Sequence, residues 1–69
     1  MVGFGEKIKE LRIERGLTQK QLAALIGQAQ STIVYWENDA QEPTISGLKK
    51  LCEFFGVPSD YLLGLIDGY

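Results

Sequence analysis

After Gly27 the chain carries Gln28, Gln30, Ser31, Thr32, Tyr35 and Asn38, side chains that both donate and accept hydrogen bonds. Such groups do not make a redox or hydrolytic centre. They suit recognition. An amide offers a donor and an acceptor in one plane, complementary to the N6 and N7 edge of adenine, and Gln30 is the strongest candidate for that contact. Ser31 and Thr32 suit phosphate oxygens, although Thr32 can also bond its own helix backbone. Tyr35 offers a ring to a thymine methyl or a hydroxyl to phosphate, and Gln28 either reaches the same partner or hydrates a turn. Catalytic chemistry has little to work with. The chain holds no histidine and one cysteine, Cys52, and it lacks a metal-ligand cluster and a phosphate-cradling loop. No enzyme, metal site or cofactor is expected, and Cys52 reads as a small buried hydrophobe.

The elements that must position these groups follow from the apolar spacing. Thr18 is placed to cap a helix in which Leu22, Ala23 and Ile26 form one stripe, and Gly27 breaks it. Ile33 and Trp36, three apart, give the next helix a single buried side, so Trp36 belongs to the core and not to a base-stacking surface. Two short helices joined by a glycine turn, with the small Ala23 allowing close packing, describe a helix-turn-helix unit over about residues 18–38. Its second helix is the one such a unit presents to the DNA major groove.

Around this unit, Phe4, Ile8 and Leu11 predict a first helix from about Phe4 to Arg15, ended by Gly16. Asn38-Asp39 forms an exit turn, Glu42-Pro43 an extended entry, and Thr44 caps a fourth helix to Phe55. Ile45, Leu48, Leu51, Cys52 and Phe55 form its expected buried stripe. Pro58-Ser59-Asp60 starts a short fifth helix carrying Tyr61, Leu62 and Leu65. No segment alternates with period two. The expected fold is all-α, a compact bundle of five helices forming one domain over residues 1–69.

The chain has seven Lys and Arg against nine Asp and Glu, a net charge of −2 and a pI near 4.9. A surface that binds DNA is usually basic. Lys7, Lys9, Arg12, Arg15 and Lys20 lie in the first third, whereas residues 37–69 hold Glu37, Asp39, Glu42, Glu53, Asp60 and Asp67 with only Lys49 and Lys50. This asymmetry predicts one favourable face and modest non-specific affinity. No apolar run reaches the roughly 20 residues that span a bilayer and no signal-peptide pattern opens the chain, so a cytoplasmic location is expected.

The segments FGEKIKELRIERGLTQKQLAALIG, STIVYWEN, EPT, LKKLCEFFGV and DYLLG closely resemble the Cro/cI-type (Xre-like) helix-turn-helix family, which includes phage repressors, over about residues 4–65. The resemblance implies a lambda repressor-like domain that binds double-stranded, pseudo-palindromic operators as a homodimer. It assigns Gln19 to a phosphate contact and to bracing of the recognition helix. Gln30, Ser31, Thr32 and Tyr35 match positions facing bases or backbone, Asn38 matches a phosphate contact, and Arg12 with Glu37 matches a pair joining the first and third helices. The sequence departs from the family pattern at Gln28, where an apolar or small residue usually closes the turn. Ala29 replaces the usual Ser or Thr cap, and Asp39-Ala40-Gln41 replaces a Gly-Lys/Arg-rich stretch.

These observations point to a sequence-specific transcriptional regulator, a repressor, whose DNA-binding residues are Gln19, Gln28, Gln30, Ser31, Thr32, Tyr35 and Asn38. Phe54, Tyr61, Leu65 and Ile66 are the candidate dimer interface. The alternative is a helix-turn-helix fold used as a protein-interaction module of the antitoxin or anti-repressor type, with weak or no DNA binding. No membrane or small-molecule partner is indicated.

Overall fold

The computed structural model describes residues 3–68, and its regular elements there are all helical. They are α1 (Phe4–Glu14), α2 (Gln19–Ile26), α3 (Gln30–Glu37), α4 (Ile45–Phe55) and α5 (Ser59–Leu62). None is long and apolar enough to cross a membrane.

Helix boundaries follow local chemistry. Thr18 Oγ accepts from the Gln21 N–H while the Gln21 side chain accepts from the Thr18 N–H, a reciprocal cap that satisfies two donors otherwise left bare at the start of α2. At the other end Gly27 adopts φ 71°, and the Gln28 N–H reaches back to the Ala23 carbonyl. A left-handed residue there reverses the chain at little steric cost only if it lacks a Cβ. Thr44 caps α4 by accepting from Gly47. The α3 exit differs, because Asp39 takes the left-handed position at φ 56° without being glycine. Its carboxylate accepts from the Gly5 N–H at 2.9 Å, so the residue that ends α3 also caps the start of α1.

The core is one cluster of Ile8, Leu11, Leu22, Ala23, Ile26, Ile33, Trp36, Leu51, Phe55, Val57 and Leu62. Helix α3 packs against both α1 and α2, α4 against α2 and α5, and α5 also against α1. Two glycines make close approaches feasible. A Cβ on Gly5 would lie 2.5 Å from the Glu37 carbonyl oxygen and closer still to that of Trp36, so α1 rests directly on the C-terminal end of α3. Gly47 lies under the Trp36 ring, 3.2 Å from where its Cβ would stand.

Two expectations are corrected. Ile45 is 89% exposed, because the buried side of α4 centres on Gly47, Leu51 and Phe55; Ile45, in the first turn, lies off that line. Leu65 is 70% exposed and lies outside α5, since Gly64 turns left-handed at φ 80° and ends the helix before it. The first helix also stops at Glu14, with Arg15 as its C-cap.

Candidate nucleic-acid interface

The orientation of α3 is set from beneath by one acidic side chain. Glu37, whose side chain is 3% exposed, accepts from Arg12 Nε at 2.6 Å and from Arg12 Nη2 and Gln19 Nε2 at 3.1 Å each. Arg12 Nη1 also donates to the Leu17 carbonyl at 2.8 Å. A buried carboxylate is costly unless paired and fully hydrogen-bonded, and here both its oxygens are engaged. Three elements therefore meet at one point: α1 through Arg12, the start of α2 through Gln19, and the last residue of α3. The Gln19 amide is committed inward, while at the start of α2 the first-turn N–H groups have no helical acceptor and favour an anion.

With Ile33, Trp36 and Glu37 turned inward, the opposite side of α3 presents Ser31, Tyr35 and Asn38, all exposed, with Gln30 exposed at its start. Tyr35 is 50% exposed, and Trp36 is 3% exposed. Thr32, Val34 and the preceding Gln28 are half-buried at the flanks. Ala29 holds the N-cap backbone geometry, φ −76° and ψ 149°, with no side chain to bond the first turn. The N-terminus of α3 is thus left for an external acceptor or water.

The structure redistributes the cations that the sequence groups into one face. Lys7 donates to the Tyr61 carbonyl at 2.9 Å and lies 5.1 Å from the centroid of its ring. Arg15 donates to the Phe54 and Phe55 carbonyls at the end of α4 and stacks over both rings. Arg12 is spent on Glu37. These three tie helices together, because long cationic side chains reach carbonyls that the fold brings near them. Lys20, in the first turn of α2, stays exposed beside the outward side of the unit.

The four candidate dimer residues do not share one environment. Phe54 and Tyr61 are partly buried and pack against the core, with Phe54 edge-on to Phe55 at 5.1 Å between ring centres. Leu65 and Ile66 are exposed, at 70% and 38%. Cys52 is half-buried on the flank of α4, and burial, with the Glu53 carboxylate adding to it, pushes its thiol above the ordinary range. No grouping of His, Cys, Asp and Glu among the described residues suits a metal ion.

Sequence reasoning missed Asp39, Gly5 and Gly47. An acidic residue in the exit turn reads as the loss of a phosphate-gripping stretch; its bond to Gly5, 34 residues away, has no local signature. The glycines left one signal only, their presence inside helical patterns.

Comparison with known proteins agrees with this architecture. The sequence model of the helix-turn-helix family matches residues 8–62. The cryptic phage CTXphi transcriptional repressor RstR of Vibrio cholerae is 40% identical over 55 residues, covering 80% of this chain and 50% of that protein. The HTH-type transcriptional activator BcrR of Enterococcus faecalis is 38% identical over 60 residues, 87% of this chain and 29% of that protein. The chain thus spans half or less of the length of these relatives, a transcriptional repressor and a transcriptional activator. The crystal structure of the P22 c2 repressor protein in complex with synthetic operator 9T superposes with a TM-score of 0.84 at 30% identity, covering 88% of this chain and 92% of that one. The chain belongs to the helix-turn-helix family of the Cro/cI (Xre-like) type.

Proposed function

We propose that this chain is the DNA-binding part of a transcriptional repressor that acts in the cytoplasm and binds a pseudo-palindromic operator as a homodimer. In this reading α3 of each protomer enters the major groove, and the two-fold axis sets half-sites about 10 bp apart. The observation that carries it is the outward side of α3, where Gln30, Ser31, Tyr35 and Asn38 are exposed on a helix fixed from behind by the Arg12–Glu37–Gln19 network. Similarity to a repressor bound to its operator supports DNA as the partner. Gln19, Ser31, Thr32 and Asn38 position the domain on phosphates, while Gln28, Gln30 and Tyr35 contact base edges. Phe54, Tyr61, Leu65 and Ile66 form the dimer surface, with Leu65 and Ile66 supplying its exposed apolar area.

A second reading, a protein-interaction module of the antitoxin or anti-repressor type, draws on the absence of any Lys or Arg in α3 and on the exposed Leu63, Leu65 and Ile66. One experiment separates the two. The protein is incubated with a randomised duplex pool at about 50 mM salt, where phosphate contacts are strong, and bound duplexes are selected and sequenced. A two-fold symmetric motif supports the regulator; absence of any enriched duplex favours the interaction module.

A further inference from the structure

We propose that the cavity between the start of α1, the α3–α4 turn and the middle of α4 binds a small organic cation with an apolar body, and that its occupant strengthens DNA binding. The sequence announces no such partner, and the effect on DNA rests on the regulator reading above.

The cavity has a volume of about 310 Å³, and residues from well-separated parts of the chain converge on it. Small-molecule sites begin at roughly 300 Å³ and are mostly apolar, with a few placed polar groups. Phe4, Pro43, Leu48 and Leu63 supply apolar walls. Asp39 and Glu42 supply the charge, and the described residues that line the cavity include no Lys or Arg. Asp39 is held at the wall by the hydrogen bond its carboxylate accepts from the Gly5 N–H. Glu42 is exposed, and its carboxylate forms no salt bridge with a described residue.

The charge decides among ligand classes. An anion meets two carboxylates and is repelled. A neutral apolar molecule would strip water from those carboxylates and put nothing in its place, which costs free energy. A metal ion lacks ligands, since no grouping of three or more His, Cys, Asp and Glu suits one among the described residues. A cation with an apolar body meets both demands. Its charge faces carboxylates that apolar walls screen less than open water does, and the Phe4 ring adds a face that attracts cations. Two further cavities lack this pattern. One between α2 and α4 has Lys50 together with Glu53, so its charges are balanced, and one along Ile45, Lys49 and Cys52 has no carboxylate. The coupling to DNA follows from position. Asp39 and Glu42 lie in the turn after Asn38, the proposed phosphate contact, where uncompensated carboxylates oppose phosphates. A bound cation offsets them, so ligand and DNA bind more tightly together than apart.

The probe is phenethylammonium, titrated into the isotopically labelled 69-residue chain and followed by NMR. Phenylacetate, 2-phenylethanol and ethylammonium serve as the anionic, neutral and tail-less controls at equal ionic strength. The expected result is saturable shifts at Phe4, Leu48 and Leu63 with phenethylammonium alone. Its dissociation constant should be roughly 1–10 mM, ordinary for so small a ligand. Glu42→Gln should weaken binding about two- to fivefold, the range of an exposed charge pair, and circular dichroism checks that this exposed-site variant remains folded. Saturating phenethylammonium should raise the affinity for a selected duplex about fivefold, the lower end of ordinary coupling, and ethylammonium should not. An equal response to 2-phenylethanol, or no saturable shift with phenethylammonium, would overturn the site. Saturation with unchanged duplex affinity would overturn the effector role. If selection recovers no duplex, the regulator reading and the effector role fall together, while the titration still decides the site.

Discussion

Breaking the Arg12–Glu37 pair should cost far more than an ordinary ion pair, and unequally from its two sides. In Arg12→Met the Glu37 carboxylate stays almost fully buried with only the Gln19 amide left to it. A stranded buried charge costs about 3–5 kcal/mol, whereas a 69-residue domain has roughly 3–10 kcal/mol in all, at about 0.05–0.15 kcal/mol per residue. Glu37→Gln keeps the shape and one acceptor oxygen, and Arg12, at 12% exposure, retains the Leu17 carbonyl. Its expected cost is smaller, about 1–3 kcal/mol. The double variant Arg12→Met/Glu37→Met strands no charge and should recover at least half the loss of Arg12→Met. Urea unfolding followed by Trp36 fluorescence reads all four proteins, since Trp36 is the sole tryptophan and is 3% exposed in the fold. With a denaturant slope near 1 kcal/mol per molar, Arg12→Met should move the midpoint by about 3 M or abolish the transition. A loss below about 1 kcal/mol, the range of exposed pairs, or additive behaviour in the double variant would refute this account of how α3 is held.

Gly5→Ala should destabilise by about 2–3 kcal/mol or more in thermal unfolding, because its Cβ would meet the backbone carbonyls that end α3. Ala29→Ser should stabilise by about 0.5–1 kcal/mol, since the N-cap backbone is already in the required geometry and lacks only an acceptor; a loss of stability in the same assay would mean that the position is constrained in another way. Cys52 should react with iodoacetamide more slowly than a free thiol at pH 8, with a rate still climbing at pH 9, because its pKa is raised by burial and by Glu53. The thiol's contribution to stability is intact below its unfolded pKa and is lost as pH rises through the higher folded value. The salt dependence of operator binding should be shallow, with a slope of log K against log salt no steeper than about −4 per dimer, since Lys20 is exposed at the start of α2 while Lys7, Arg12 and Arg15 are engaged within the fold. A slope of −8 would show that many more cations grip phosphate.

Much of the fold was legible because periodicity and punctuation act locally. Ile33 and Trp36 share a face at any tertiary arrangement of a helix, and Thr18 and Gly27 mark ends through chemistry within a few residues. Ile45 misled because apolar character marks a stripe but not which of two adjacent stripes the neighbours cover. On α4 they cover the line through Gly47, Leu51 and Phe55, where Gly47 contributes by having no side chain. The site divides in the same way. The exposed positions of α3 followed from its two buried apolar residues, Ile33 and Trp36. The destinations of Lys7 and Arg15, carbonyls 54 and about 40 residues distant, are properties of the closed fold, and so is the use of Asp39 as a cap for α1. The apparent basic face was therefore a matter of composition, and most of it is consumed in holding the bundle together.

The most direct test of the central claim is a titration of the isotopically labelled protein with the selected duplex, followed by amide and side-chain NMR shifts. The account predicts that the largest changes fall at the start of α2 and along Gln28, Gln30, Ser31, Thr32, Tyr35 and Asn38, including the side-chain amides of Gln28 and Gln30. Changes concentrated on the outer face of α4 and on Leu63, Leu65 and Ile66, with α3 unmoved, would contradict it.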